Sequence, residues 1–242
     1  MIMVIHKRKL IVSLVVIFSL AVLAYVDLRS RTETFFQAAN TQGIKTVVLD
    51  PGHGGEDPGA VSDYSGTKEK DINLIIANNL KNMLETSGYK VIMTRKDDAL
   101  KYEPGTTNVV KKRSQDLQAR KKLIDESGAD IVVSIHLNKF PQTQYFGAQT
   151  FYPPDFPESK RLAESIQAKI REVVDPENKR EALVKKEPII LLKNPQIATA
   201  IVEGGFLSNE KEEKKIISQA YQQKLAEAIF EGVRDYFSSG DN

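Results

Sequence analysis

Two short apolar runs rich in β-branched residues each lead into a histidine. They are Val47-Val48-Leu49-Asp50-Pro51-Gly52-His53 and Ile131-Val132-Val133-Ser134-Ile135-His136. Between them lies a segment with apolar residues at Ile72, Ile75, Ile76, Leu80, Met83 and Leu84, a 3.6-residue period that predicts an amphipathic helix over Glu69–Thr86. Strand, helix, strand in this rhythm restricts the chain to an α/β domain with a largely parallel sheet. The only other histidine is His6, so both histidines of the folded part stand where a parallel sheet opens to ligands.

The remaining pattern extends this reading. Strands are predicted at Thr46–Asp50, Lys90–Thr94, Asp130–Ile135, Ala148–Tyr152, Ile189–Leu192 and Thr199–Glu203. Further helices are predicted at Ser114–Glu126 and Glu158–Val174, with a brief one at Glu210–Ser218 and a last one carrying Tyr221, Leu225, Ile229 and Val233 on one face. Gly88 and Gly128 mark helix ends. One domain, with helices on both faces of a largely parallel sheet, accounts for the whole of 44–238.

The N-terminus stands apart. Lys7, Arg8 and Lys9 precede a nearly unbroken apolar run from Leu10 to Val26, the pattern of a secretory signal peptide or an uncleaved membrane anchor. Residues 27–43 read as a linker. The expected location is therefore outside the cytoplasmic membrane. Residues 1–26 hold three basic and no acidic residues, leaving 31 basic against 32 acidic in the remainder. That balance gives no case for nucleic-acid binding. The chain has no cysteine, so it has neither disulfides nor thiolate metal ligands.

Imidazole is the commonest protein ligand for zinc, and a catalytic zinc takes about three protein ligands with one position open. His53 and His136 supply two, and without cysteine the third must be a carboxylate or water. Glu69, at the start of the first predicted helix, is the attractive candidate; Glu56, Asp57 and Asp71 are also near in sequence. Glu203 closes the apolar run Thr199-Ala200-Ile201-Val202 and is followed by Gly204-Gly205. Partial desolvation there would raise its pKa towards that of a useful general base; the alternative is an ion pair with a nearby Lys or Arg.

With these residues set out, the chain resembles the zinc-dependent N-acetylmuramoyl-L-alanine amidases of bacterial cell walls, the amidase 3 family, over roughly residues 45–237. The matching motifs are Leu49-Asp50-Pro51-Gly52-His53-Gly54-Gly55, Asp57-Pro58-Gly59-Ala60, Lys68-Glu69-Lys70-Asp71, Thr94-Arg95, Ser134-Ile135-His136-Leu137-Asn138 and Val202-Glu203-Gly204-Gly205-Phe206-Leu207-Ser208-Asn209. The resemblance implies a mixed, mostly parallel six-stranded sheet flanked by helices, and one Zn2+ ion held by His53, Glu69 and His136. It implies Glu203 as the catalytic carboxylate and peptidoglycan as substrate, cut between muramic acid and L-alanine. The same motifs put forward Arg95 and Asn138 as substrate-binding residues. A zinc peptidase cutting within the stem peptide, or a non-enzymatic wall-binding or regulatory protein on the same fold, are the competing functions.

Within that family the chain is most similar to amidases of sporulation and germination. Its marks are the small catalytic domain behind one apolar segment, Gln115-Asp116-Leu117-Gln118-Ala119-Arg120, and Gly147-Ala148-Gln149-Thr150-Phe151-Tyr152. That resemblance implies action on spore cortex in cooperation with a separate peptidoglycan deacetylase that completes muramic δ-lactam. Compared with the family pattern, about a dozen extra residues lie between Arg95 and Arg120, including the basic Lys111-Lys112-Arg113. A lid, a glycan-contacting arm, a docking surface for an accessory protein near 97–114 and an inert loop are the readings for this insertion. The stretch between His136 and Glu203 is too short for a long autoinhibitory helix, and no plug over the metal is expected.

Overall fold

The computed structural model describes residues 43–239 except 187, 188 and 194, together with 17, 18 and 22. The expected leader or anchor and the linker fall, all but those few positions, outside the described residues. Among the described residues no helix is long and apolar enough to cross a membrane.

Lys45–Asn242 forms one compact unit. Its elements, in chain order, are β1 (Thr46–Pro51), α1 (Glu69–Thr86), β2 (Lys90–Met93), α2 (Val109–Glu126), β3 (Ile131–Asn138), β4 (Gln149–Tyr152), α3 (Pro157–Lys169), β5 (Leu183–Val184), β6 (Ala198–Phe206), α4 (Glu210–Ile216) and α5 (Gln219–Ser238). The six strands make one sheet in the order β2-β1-β3-β6-β4-β5. All neighbours are parallel except β4 and β6, which run antiparallel. The mixed, mostly parallel six-stranded sheet is thus the architecture observed.

Side-chain alternation divides the sheet into two unequal faces. Val47, Leu49, Ile131, Val133, Ile135, Ala200 and Val202 point to the thick side, where they pack with Ile76 and Leu80 of α1, Leu162 and Ile166 of α3, and Leu225 and Ile229 of α5. Val48 and Val132 point the other way, into a small cluster with Ile124 of α2 and Leu191. Asp50, Ser134, His136 and Glu203 continue that second phase. His136 and Glu203 therefore project on the thin, α2 side, while Glu69 comes in from the start of α1, whose helix packs on the thick side.

Two expectations need correction. Ile189–Leu192 is not a strand: residues Ile190–Leu192 form a single 3₁₀ turn. A four-residue apolar run carries no period that separates strand from helix, and prolines at 188 and 195 isolate it. The edge strand is instead Leu183–Val184, only two residues long and exposed on both. Helix α2 begins at Val109, five residues before the expected Ser114, because Asn108 caps it by accepting the Lys111 N–H. The β-branched pair Val109-Val110 masked that start.

Candidate metal centre

His53 leaves β1 in a conformation that few non-glycine residues adopt, with φ of 63°. The surrounding contacts impose it. Arg120 of α2 donates from Nη2 to the His53 carbonyl at 2.6 Å and from Nη1 to the Pro51 carbonyl at 2.8 Å. Arg120 is itself held by Asp50 at 3.0 Å and Asp116 at 2.7 Å. Asp50 is fully buried and also accepts the hydroxyls of Thr94 and Ser134, each at 2.6 Å. Burial would raise the Asp50 carboxyl, but the Arg120 guanidinium and the two hydroxyls hold it below the usual carboxylate range.

Glu69 is the first residue of α1, where the helix end favours negative charge. It is only 3% exposed. Its Oε1 lies 3.1 Å from His136 Nδ1 and 3.3 Å from His53 Nε2, and it accepts the Leu137 N–H at 2.9 Å. Its Oε2 accepts the Ala60 N–H at 2.7 Å. The imidazoles stand edge to face with centroids 5.1 Å apart. One donor atom from each of His53, Glu69 and His136 lies within 4.8 Å of the others.

The trio is packed for close approach. A Cβ on Gly59, whose φ is 66°, would lie 2.5 Å from Glu69 Oε2 and 2.6 Å from His53 Cδ2. A Cβ on Gly52 would strike the His136 ring at 2.2 Å. Each glycine is required by the ring or carboxylate beside it.

The donor set fits a divalent cation. Burial alone would push the His53 imidazole down, but the hydrogen bonds with Asp57 and Glu69 carry it up to about 9. Burial would raise Glu69, whose carboxyl the hydrogen bonds with His136 and His53 instead hold far below the usual range. The pocket therefore favours positive charge at its centre, and two imidazoles with one carboxylate form a known zinc set. The other carboxylates weighed as ligands go elsewhere: Glu56 pairs with Lys112, Asp57 accepts from His53 Nδ1 at 2.8 Å, and Asp71 is exposed.

Glu203 stands opposite His136 in the parallel register of β3 and β6. Its carboxylate lies 3.6 Å from Lys185 Nζ, so the ion pair weighed as an alternative is present. Burial pushes the Glu203 carboxyl up, and His136 and Lys185 offset only part of that rise. Lys185, which follows β5, had no signal in the sequence. Its Nζ lies over the Phe151 ring, 4.5 Å from the centroid.

Asn138 lies at the end of β3, half-buried, with Oδ1 accepting the Lys139 N–H. Arg95, the other residue expected to bind substrate, is buried. It is 4% exposed, and its guanidinium donates to the carbonyls of Pro51, Gly52, Lys70 and Asp97. With Arg120 it fixes the segment that carries His53.

Two imidazoles and a carboxylate meeting at the carboxyl ends of a parallel sheet, with a further glutamate beside them, are consistent with a single metal site of the kind that hydrolases use. The chain belongs to the N-acetylmuramoyl-L-alanine amidase family, whose sequence profile matches residues 47–235; its activity is hydrolysis of the muramic acid–L-alanine amide of peptidoglycan. It is 37% identical over 194 residues to the germination-specific N-acetylmuramoyl-L-alanine amidase of Bacillus subtilis, covering 80% of each chain. The CwlD amidase of Clostridioides difficile, solved in complex with the GerS lipoprotein, superposes with a TM-score of 0.79 at 46% identity, covering 81% of this chain and 99% of that one. A second Clostridium difficile amidase structure gives 0.71 at 34% identity, covering 82% and 99%.

Proposed function

We propose that this protein is a zinc amidase of spore cortex, acting outside the cytoplasmic membrane, with Glu203 as its catalytic carboxylate. The observation that carries the reading is the convergence of His53, Glu69 and His136 beside Glu203 at one end of the sheet. Similarity to a germination-specific amidase supports the cortex as substrate.

His53, Glu69 and His136 would hold the ion. Zinc, when bound, supplies Lewis acidity that polarises a carbonyl and brings the pKa of a water from 15.7 towards ~7. Glu203 accepts the proton of the attacking water and returns it to the alanine nitrogen as the C–N bond breaks, leaving a lactyl carboxylate and a free amine. A carboxyl raised by burial suits both halves of that transfer. Lys185 keeps the carboxylate anchored between them, and Asn138 contacts the substrate at the rim.

In this reading the product is the substrate of a peptidoglycan deacetylase on the route to muramic δ-lactam. An accessory lipoprotein, like the partner of the related amidase, docks near 97–114, and residues 10–26 export or anchor the enzyme. Digestion of cortex and vegetative peptidoglycan side by side tests the proposal. Faster release of stem peptides from cortex supports it, and equal rates contradict the spore assignment.

A further inference from the structure

The basic triplet Lys111-Lys112-Arg113 has no part in the chemistry derived so far. The Asn108 cap brings it into the first turns of α2, directly over the glycine-rich loop that follows β1. Lys112 Nζ lies 2.6 Å from Glu56 Oε1, and Arg113 Nη2 lies 2.8 Å from Asp57 Oδ1. These two neighbouring pairs differ in what lies behind them. Among the contacts described, Glu56 touches no metal-site residue. Asp57, through its other oxygen, accepts from His53 Nδ1 at 2.8 Å.

A carboxylate has two oxygens fixed to one plane. The Arg113 guanidinium on Oδ1, at 2.8 Å, joins the longer Gly59 N–H bond to the same oxygen at 3.3 Å in setting the rotation of that plane, and so helps aim Oδ2 at the imidazole. An Nδ1–H donated to Asp57 leaves the lone pair on Nε2, which faces Glu69 at 3.3 Å and points into the pocket. The His53 backbone, at φ of 63°, is held by the arginine on its carbonyl. Its ring is hydrogen-bonded to Asp57 and Glu69 and packs edge to face on His136.

We infer that Arg113 is a positioning residue for the metal ligand His53, acting through Asp57, and that the extra segment before Arg120 serves as an outer brace of the metal site. The inference rests on His53 being a metal ligand. Lys112 is its internal control, since it joins the same turn to the same loop without reaching an imidazole.

The test is the zinc affinity of the purified full chain, measured by competition with a chromophoric chelator, with thermal unfolding followed in parallel. Loss of an outer partner of a ligating histidine costs ~10–100-fold in metal affinity. Arg113→Met is expected to weaken zinc binding by that order, and Arg113→Lys, which keeps the charge without the planar fork, to recover part of the loss. Lys112→Met is expected to lower thermal stability no less than Arg113→Met while leaving zinc affinity near that of the parent. Asp57→Asn should weaken zinc, and adding Arg113→Met to it should cost nothing further, because the two act as one path. Equal losses in Arg113→Met and Lys112→Met, additive losses in the double variant, or unchanged affinity in Arg113→Met would each overturn the inference. A parent that binds no zinc overturns the metal reading itself, a different failure from a parent that binds it and an Arg113→Met variant that binds it equally well.

Discussion

His136 and Glu203 are register partners on adjacent parallel strands, so a proposed metal ligand and the proposed proton carrier project from the same face at the same level of the sheet. Their relative position is set by the backbone ladder between β3 and β6 rather than by loops. Strand pairing of this kind survives side-chain changes, which makes substitutions at either position readable as chemistry.

Glu203→Gln keeps the size of the side chain and removes its ability to take a proton. General acid–base catalysis contributes ~10²–10⁴-fold, so turnover should fall by that order while zinc content, read by elemental analysis, stays at one ion per chain. A variant with parental turnover would remove Glu203 from the mechanism.

The acid side of the pH profile follows from the same residue. Glu203 must be ionised to accept a proton, and burial pushes its pKa up, so kcat/KM should fall on acidification at a pH above the ~4.3 of an ordinary glutamate. Lys185 pulls that pKa down. Lys185→Met should therefore shift the acid limb to higher pH. A limb that stays in place would show that another group controls it.

Asp50 and Arg120 are 0% and 2% exposed at their side chains. Removing the Asp50 charge leaves Arg120 paired with Asp116 alone, so the cost lies towards the lower end of the about 3–5 kcal/mol of a broken buried pair. Asp50→Asn should therefore lower the unfolding midpoint substantially in chemical denaturation. The Asp50 carboxyl is depressed in the folded state, so its contribution is complete above the unfolded value of ~3.9 and is lost as pH falls through the native one. The parent should lose stability in that acid range, and the Asn variant should lose less.

Gly59→Ala adds one methyl group where 2.5 Å separates it from Glu69. The strand framework lies elsewhere, so far-ultraviolet circular dichroism should be unchanged while bound zinc drops. Full zinc occupancy would show that the loop yields more easily than its packing suggests.

Much of this was legible in the sequence because the signals were local. The period of Ile72, Ile76 and Leu80 reports a face, and the runs ending at His53, His136 and Glu203 report strand ends that open on the site. Glu69 could not be separated from Asp57 by spacing, since the choice depends on which carboxylate the fold turns inwards beside Leu137 and Ala60. Lys185 reaches Glu203 across β4, a contact that exists only once a two-residue edge strand has paired. Arg95 shows the converse: its bonds to four backbone carbonyls exist only in the fold and leave no mark in the sequence.

The most direct measurement is mass spectrometry of the products released from intact peptidoglycan by the purified protein, with and without a chelator. The account predicts stem peptides with a free alanine amine and glycan with a free lactyl carboxylate, abolished by the chelator and restored by zinc. Release that persists without metal, or cleavage confined to bonds inside the stem peptide, would contradict it.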